Sequence, residues 1–305
     1  MRAAVIGVGH LGQHHARILS SLPGVSLAGV VDIDAARAEK VAADYGTRAF
    51  GEVRDIGALD IVVIAAPTEH HAAIAMPLVQ AGVHTLIEKP VTQTLEEADA
   101  LIAAAKASGV VLAVGHSERF NPAVAAARPY VNDPRFIEVH RMGTQIGRSL
   151  DIDVVLDLMI HDLDLILSLV PSEVERVEAV GVPVLTNKID IANARVRFKN
   201  GCVANLTASR ISRDRIRKIR FFQRERYLSI DTAAREVEMY QLTPQAGGLP
   251  KIDGGKLTVP GDEPLKRELE DFVAAVREKR PPAVPGEQGR AALALAVHIV
   301  ELMRQ

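Results

Sequence analysis

Three sets of residues in this sequence combine types and spacings that could do chemistry. The first is Gly7, Gly9 and Gly12, which make G-x-G-x-x-G, with Asp32 twenty residues further on. Gly7 permits a tight turn, Gly9 removes a Cβ where a pyrophosphate must approach the backbone, and Gly12 lets the next helix pack close to the strand. The free N–H groups at that helix start favour an anion. A carboxylate at position 32 accepts hydrogen bonds from a ribose 2′-OH and repels a 2′-phosphate, so the pattern predicts NAD rather than NADP. Arg37 could serve a 2′-phosphate, or be a solvated charge in the first turn of a helix. The second set is Glu88-Lys89-Pro90. A lysine at the end of a buried strand can hydrogen-bond a hydroxyl, and burial makes its proton easy to remove; a plain surface lysine is the alternative. The third is Asp157, His161 and Asp164, at spacings of four and three that share one face of an α-helix. A carboxylate beside an imidazole suits general acid/base work on a positioned substrate. The competing readings are a first-turn acid favoured by the helix dipole and a half-buried structural histidine. No third metal ligand stands out, so no metal is expected.

These side chains need a frame, and the sequence supplies one. Ala3 to Ile6 reads as a buried strand, Gln13 to Leu22 as a helix, and Val25 to Val31 as the next strand, ending at Asp32. That order is a dinucleotide-binding β-α-β unit. The alternation continues through helix Ala35 to Tyr45, strand Asp60 to Ala65, helix Ala72 to Ala81, strand His84 to Glu88, helix Leu95 to Ser108 and strand Val110 to Gly115. Short apolar runs separated by helices predict a parallel sheet covered on both faces, with ligands at the carboxyl ends of its strands. The expected cofactor contacts are therefore Gly7, Gly9, His10, Leu11, Gly12, Asp32, Ile33, Arg37, Ala66, Pro67, Thr68, His71, Glu88 and Lys89.

The pattern changes after Phe120. A strand at Phe136 to Met142 and a helix at Val154 to Leu169 are followed by strand signals at Val174 to Val184, Ile189 to Phe198, Cys202 to Ser209, Arg217 to Gln223, Tyr227 to Asp231 and Val237 to Gln241. The fold class expected is α/β: a dinucleotide-binding domain over 1–118, then an α+β domain over 119–305 with a largely antiparallel open sheet. Helices at Glu263 to Arg280 and Arg290 to Met303 close the chain, the last expected at the domain junction.

Composition narrows the function classes. With 48% apolar residues and a net charge of -2, the chain can build a large core and is not a general nucleic-acid binder. One cysteine, Cys202, excludes an intrachain disulfide. No apolar run approaches a transmembrane length, and the first strand begins at once, so a cytoplasmic protein is expected. Arg210, Arg213, Arg215, Arg217, Lys218 and Arg220 crowd eleven residues against the single acid Asp214. Such a strip could hold a diphosphate, or be a solvated strand or an oligomer edge.

Together these motifs resemble the glucose–fructose oxidoreductase, inositol dehydrogenase and MocA (Gfo/Idh/MocA) family. The resemblance runs through Gly7 to Gly12, Ala66-Pro-Thr-Glu-His-His71, Ala81 to Pro90, Asp157 with His161 and Asp164, and Pro264-Leu265 with Glu268-Leu269 and Phe272. It implies a Rossmann domain followed by an α/β domain whose open sheet builds homodimers or homotetramers. It also implies NAD(P)-dependent oxidation or reduction of a sugar or polyol, with Lys89 and His161 as the catalytic pair and Asp157 positioning the substrate. Gly115 to Pro122 and Ile191 to Arg195 are most similar to members that oxidise the 3-hydroxyl of a UDP-N-acetylhexosamine. Arg119, Asn121, Arg148 and Arg210 are then the expected substrate contacts, alongside Asp157 and His161. A free-polyol dehydrogenase and a non-catalytic NAD sensor are the rival expectations. One departure from the family is the stretch Asp151-Ile-Asp-Val-Val-Leu156, where many members have a Gly-rich turn.

Overall fold

The computed structural model describes residues 1–144, 152–245 and 249–304. The chain divides into two compact units, one of Met1–Ser117 with Leu265–Ala291, the other of Glu118–Pro264 with residues 292 onward.

The first unit alternates strands and helices: β1 (Arg2–Ile6), α1 (Gly12–Ser21), β2 (Ser26–Val31), α2 (Ala35–Asp44), β3 (Ala49–Phe50), β4 (Ile61–Ile64), α3 (His71–Gln80), β5 (His84–Glu88), α4 (Leu95–Ser108) and β6 (Leu112–Gly115). The six strands form one parallel sheet in the order β3-β2-β1-β4-β5-β6. The order reverses between β1 and β4, which opens a crevice outside their carboxyl ends. Strand β4, Ile-Val-Val-Ile, is buried at every position, as a strand covered on both faces must be. Helix α4 shows how local sequence sets its ends. Thr94 and Glu97 form a reciprocal capping box, and Gly109 closes the helix at φ +64°. The two-residue β3 is too short to leave a periodic signal.

The second unit contains α5 (Pro122–Ala127), β7 (Phe136–Thr144), α6 (Ile160–Leu169), β8 (Val174–Val182), β9 (Ile191–Phe198), β10 (Val203–Ser209), β11 (Ile211–Phe222), β12 (Arg226–Asp231), β13 (Glu236–Thr243) and β14 (Lys251–Lys256). Its eight-stranded sheet has the order β14-β13-β12-β11-β7-β10-β9-β8 and is antiparallel except for β7 beside β10. Val155, Met159, Ile160, Leu163 and Ile166 bury themselves in one core with Ile137, Val139, Ala204, Leu206 and Ile219 of the sheet. Two helices complete the chain, α7 (Pro264–Glu278) and α8 (Gly286–Met303), and the division between the units falls inside α8.

Two departures from the sequence reading bear on how the helices are placed. Residues 265–291 belong with the first unit, not with the second domain, because Leu269, Phe272 and Val273 of α7 enter the core formed by Val5, Leu19, Val30 and Val63. The stripe predicted the helix but not which sheet it covers. The helix read as Val154 to Leu169 starts instead as a π-turn over Val155–Met159, closed by the Ile160 N–H on the Val155 carbonyl, before α6 begins. An apolar stripe tolerates the one extra residue of a π-turn, so periodicity does not reveal it.

The glycine turn is the tightest point of the first unit. A Cβ on Gly12 would lie 1.8 Å from the Gly7 carbonyl oxygen. Gly12→Ala must therefore displace backbone and is expected to destabilise the protein by about 1–3 kcal/mol or more, read as a lower unfolding temperature in calorimetry.

Candidate active site

In the first unit the carboxyl ends of β1, β2, β4 and β5 bring their loops to one edge. Gly7 turns out of β1 at φ +81°, and a Cβ there would lie 2.7 Å from the Ala66 backbone nitrogen. At Gly9 an added Cβ would meet only the Arg37 guanidinium, at 3.6 Å. The glycine loop is thus closed on its inner side and open on its outer side. That open cradle, at the N–H groups of the first turn of α1, fits a pyrophosphate. Asp32 is anchored there. Its Oδ2 accepts the Val8 N–H at 2.8 Å and its Oδ1 accepts the Asp34 N–H at 2.9 Å. Each oxygen keeps a second lone pair for a ribose hydroxyl. His10, Leu11 and Ile33 are exposed beside this cradle. Arg37 lies 3.8 Å from Asp32 and donates to Asp34 at 3.0 Å, so its charge is engaged by local carboxylates.

Ala66 and Pro67 lead from β4 into a short turn over Thr68–His70. His71, expected to touch the cofactor, is buried instead. Its Nδ1 lies 2.9 Å from the Pro90 carbonyl and its Nε2 lies 2.8 Å from the Ala66 carbonyl. It ties the loop after β4 to the turn after β5. Glu88 is likewise corrected. Its side chain turns inward, with Oε1 2.7 Å from His15 Nε2 and Oε2 accepting the Lys89 N–H at 3.2 Å. Burial pushes the Glu88 carboxyl up, but its hydrogen bond to His15 and the charges of His15 and Lys89 hold it below the usual range. Glu268 of α7 joins them, one side-chain donor atom of each residue lying within 4.8 Å of the others. The 2.7 Å contact is a hydrogen bond, and we assign the cluster to fixing the end of β5. Lys89 follows it, half-buried, before a cis bond to Pro90.

In the second unit, Asp157 is buried within the π-turn and His161 is half-buried at the start of α6. The two acids that follow are committed to arginines. Arg119 grips Asp164 through Nε at 2.6 Å and Nη2 at 2.7 Å. Arg141 of β7 grips Asp162 through Nε at 2.7 Å and Nη2 at 2.8 Å, and donates from Nη1 to Glu118 at 3.0 Å. Burial opposes the Arg141 charge, but Asp162 and Glu118 outweigh it and raise its pKa, so the guanidinium stays charged. These pairs pin the helix that carries Asp157 and His161 to β7 and to the segment before α5.

Three expected substrate contacts have other work. Arg119 is the bidentate partner of Asp164. Asn121 caps α5, accepting the Ala123 N–H at 3.0 Å and donating to the Thr232 carbonyl at 3.0 Å. Arg210 is 2% exposed, donates to the Ile152 carbonyl and lies 3.5 Å from Asp190. Single-sequence reading could not separate an arginine that meets a ligand from one that satisfies a buried carboxylate. Arg148 lies outside the described residues. Conversely, Arg141, Asp162 and Glu118 were missed, although Asp162 sits inside the motif that drew attention to the helix.

Asp190 supports Arg210 and a tight turn. Its Oδ2 accepts N–H bonds from Val184, Leu185 and Thr186 at 2.7–2.9 Å. Burial raises this carboxyl, but those N–H donors and the Thr186 hydroxyl win and hold it at about 2. A depressed folded pKa stabilises the protein above the ordinary value and loses that contribution as pH falls toward the folded one. Asp190→Asn should therefore lower the unfolding temperature at neutral pH, and the gap to the unmutated protein should shrink as pH falls from 3.8 to about 2. Thermal unfolding across that range measures it.

The chain is 44% identical to UDP-N-acetylglucosamine 3-dehydrogenase of Acidithiobacillus ferrooxidans over 98% of its length and 96% of that enzyme's. A crystal structure of that enzyme superposes with a TM-score of 0.93, covering 99% of this chain and 97% of the other at 43% identity. The scyllo-inositol 2-dehydrogenase (NAD(+)) of Bacillus subtilis is 31% identical over 70% of this chain and 68% of its own. Residues 132–225 match the GFO/IDH/MocA C-terminal domain, and residues 1–116 match GFO/IDH/MocA, described as an oxidoreductase family with an NAD-binding Rossmann fold. Among the described residues no helix is long and apolar enough to cross a membrane. With the glycine cradle, the anchored Asp32 and the Asp157–His161 helix in place, the chain belongs to the GFO/IDH/MocA family of NAD-binding oxidoreductases.

Proposed function

We propose that this protein oxidises C3 of UDP-N-acetylglucosamine, or of a close UDP-N-acetylamino sugar, with NAD. The observation that carries the reading is the 44% identity over nearly the whole chain to an enzyme of that activity, against 27–31% identity to inositol dehydrogenases. The cradle of Gly7, Gly9 and Gly12 receives the dinucleotide pyrophosphate, and Asp32 receives the adenosine ribose. Because Asp32 repels a 2′-phosphate and Arg37 is engaged by Asp34, NAD is preferred over NADP. When bound, NAD accepts the hydride released as the sugar alcohol becomes a ketone. Lys89 and His161 hydrogen-bond the reacting hydroxyl, one of the two takes its proton, and Asp157 orients the sugar. The 3-keto product suits an aminotransferase.

We further propose that the protein works as a homodimer or homotetramer through its second sheet, in the reducing cytoplasm. Exposed Val180 and Val182 on β8, and Tyr240 and Leu242 on β13 with Ile252 on β14, support the first point. The lone, buried Cys202 thiol supports the second.

NADH formation across UDP-N-acetylglucosamine, free N-acetylglucosamine and myo-inositol tests the substrate. Turnover of free sugar or inositol as efficient as that of the nucleotide sugar would replace this reading with a polyol dehydrogenase. Asp32→Ala should narrow the gap between NAD and NADP affinity in calorimetric titration; tighter NADP binding by the unmutated protein would overturn the cofactor preference. Lys89→Met and His161→Ala should each reduce turnover by roughly 10²–10⁴-fold while NAD binding persists. Near-normal turnover in either variant returns that residue to a structural role.

A further inference from the structure

The basic strip of β11 is not uniform. Arg220 donates to Glu138 at 2.7 Å, and Lys218 stands opposite His140. Arg217 stands opposite Arg141 and Ile219 opposite Val139, so these share the face on which Val139 and Arg141 are buried toward the helix side. Further up the strand the register breaks. Ile211 pairs with Thr144 and Ile216 with Met142, which leaves residues 212–215 as a bulge. A bulge re-aims the side chains it carries and is common beside active sites. Here it carries Arg213 and Arg215.

Arg213, Arg215 and Arg217 line a cavity of about 360 Å³ with Thr144, Ser209 and Leu158. Leu158 belongs to the π-turn that holds Asp157, so one wall of the cavity is the turn assigned to the sugar. The cavity carries surplus positive charge. Arg141 is neutralised by Asp162 and Glu118, and Arg217 has only a distant share of Glu118, at 3.9 Å. Burial and the neighbouring Arg141 lower the Arg217 pKa, as expected where cations outnumber anions. Among the described residues no carboxylate is ion-paired with Arg213 or Arg215. Planar guanidinium forks suit paired phosphate oxygens.

We propose that this cavity holds the diphosphate of the nucleotide-sugar substrate, and that Arg213 and Arg215 set the preference for a nucleotide sugar over a free one. The inference rests on the dehydrogenase reading above and moves the phosphate contacts from Arg119 and Arg210, which are committed to carboxylates, to the bulge. The volume suits a diphosphate and not a whole nucleotide sugar, which leaves the sugar beside Asp157 and His161. The phosphates lie remote from the reacting carbon, so their contacts affect binding more than the chemical step.

The test uses the enzyme saturated with NADH, so that added nucleotide cannot occupy the dinucleotide cradle. UDP, inorganic pyrophosphate and uridine are titrated into the unmutated protein, Arg213→Ala, Arg215→Ala and the double variant. The expected result is binding of UDP and pyrophosphate that weakens with salt and falls by about tenfold or more in each single variant. Arg215→Lys should recover part of the loss, because it keeps the charge without the fork. In turnover, the KM for UDP-N-acetylglucosamine should rise more than kcat falls. Unchanged NADH binding and thermal unfolding confirm that the variants are folded. UDP and pyrophosphate affinities within about twofold of normal in the folded double variant would overturn the inference, while turnover of UDP-N-acetylglucosamine by the unmutated enzyme would leave the dehydrogenase reading standing. If the unmutated enzyme instead prefers a free polyol, that reading falls and the substrate role of the cavity falls with it, even where arginine-dependent pyrophosphate binding persists.

Discussion

The first unit depends on one steric constraint: two backbone segments meet where no side chain fits. The Gly7 carbonyl occupies the place of a Gly12 Cβ, and the Ala66 nitrogen crowds that of a Gly7 Cβ. Close packing of this kind lets α1 start directly above the end of β1 and beside the end of β4, the strands between which the sheet order reverses. The crevice and the helix N-terminus therefore coincide, and an anion there meets N–H groups that need no reorganisation. Asp32 reinforces the arrangement. By accepting the Val8 N–H it fixes the glycine turn while it presents its remaining lone pairs outward. One carboxylate thus braces both the glycine turn and the start of the segment after β2.

The second unit is held by charge where the first is held by close contact. Asp162 and Asp164 point away from solvent and would each be expensive to bury alone, but Arg141 and Arg119 meet them in bidentate geometry. Removing one partner of such a pair leaves an uncompensated buried charge, which typically costs about 3–5 kcal/mol. The pairs therefore fix rotation and height of the helix more sharply than its apolar stripe does. A π-turn has few intrinsic means of holding its own register. That the pinned residues directly follow Val155–Met159 explains how the turn can persist and keep Asp157 inside it.

These two kinds of restraint also decide what could be read from the sequence. Glycine spacing and strand hydrophobicity are local, so the nucleotide fold, its strand ends and the place of Lys89 were legible. The second sheet was legible as alternation, apart from β14, whose Gly254 and Gly255 hide it, and the part of β11 before Arg217, where the bulge interrupts the period. Pairings between residues distant in sequence were not. Nothing near Arg210 foretells Asp190, and nothing near His71 foretells that both ring nitrogens face carbonyls of separate loops. Arginines were the hardest to place, because a buried ion pair and a phosphate contact demand the same fork and differ only in what the fold brings opposite.

Net charge is a poor guide to such sites. The chain sums to -2, which argues against a polyanion spread over its surface, yet the sum says nothing about a cavity. Within the second unit, carboxylates are drawn to Arg119, Arg141 and Arg210, leaving the bulge of β11 with cations and no paired acid among the described residues. Arg213 and Arg215 are exposed and Arg217 is half-buried, so these few unbalanced charges act on an anion at close range and are screened by salt. The acids that stabilise the helix and the bases that await an anion are thus one distribution. Asp162 is answered by Arg141 and Asp164 by Arg119, so neither is paired with Arg213 or Arg215.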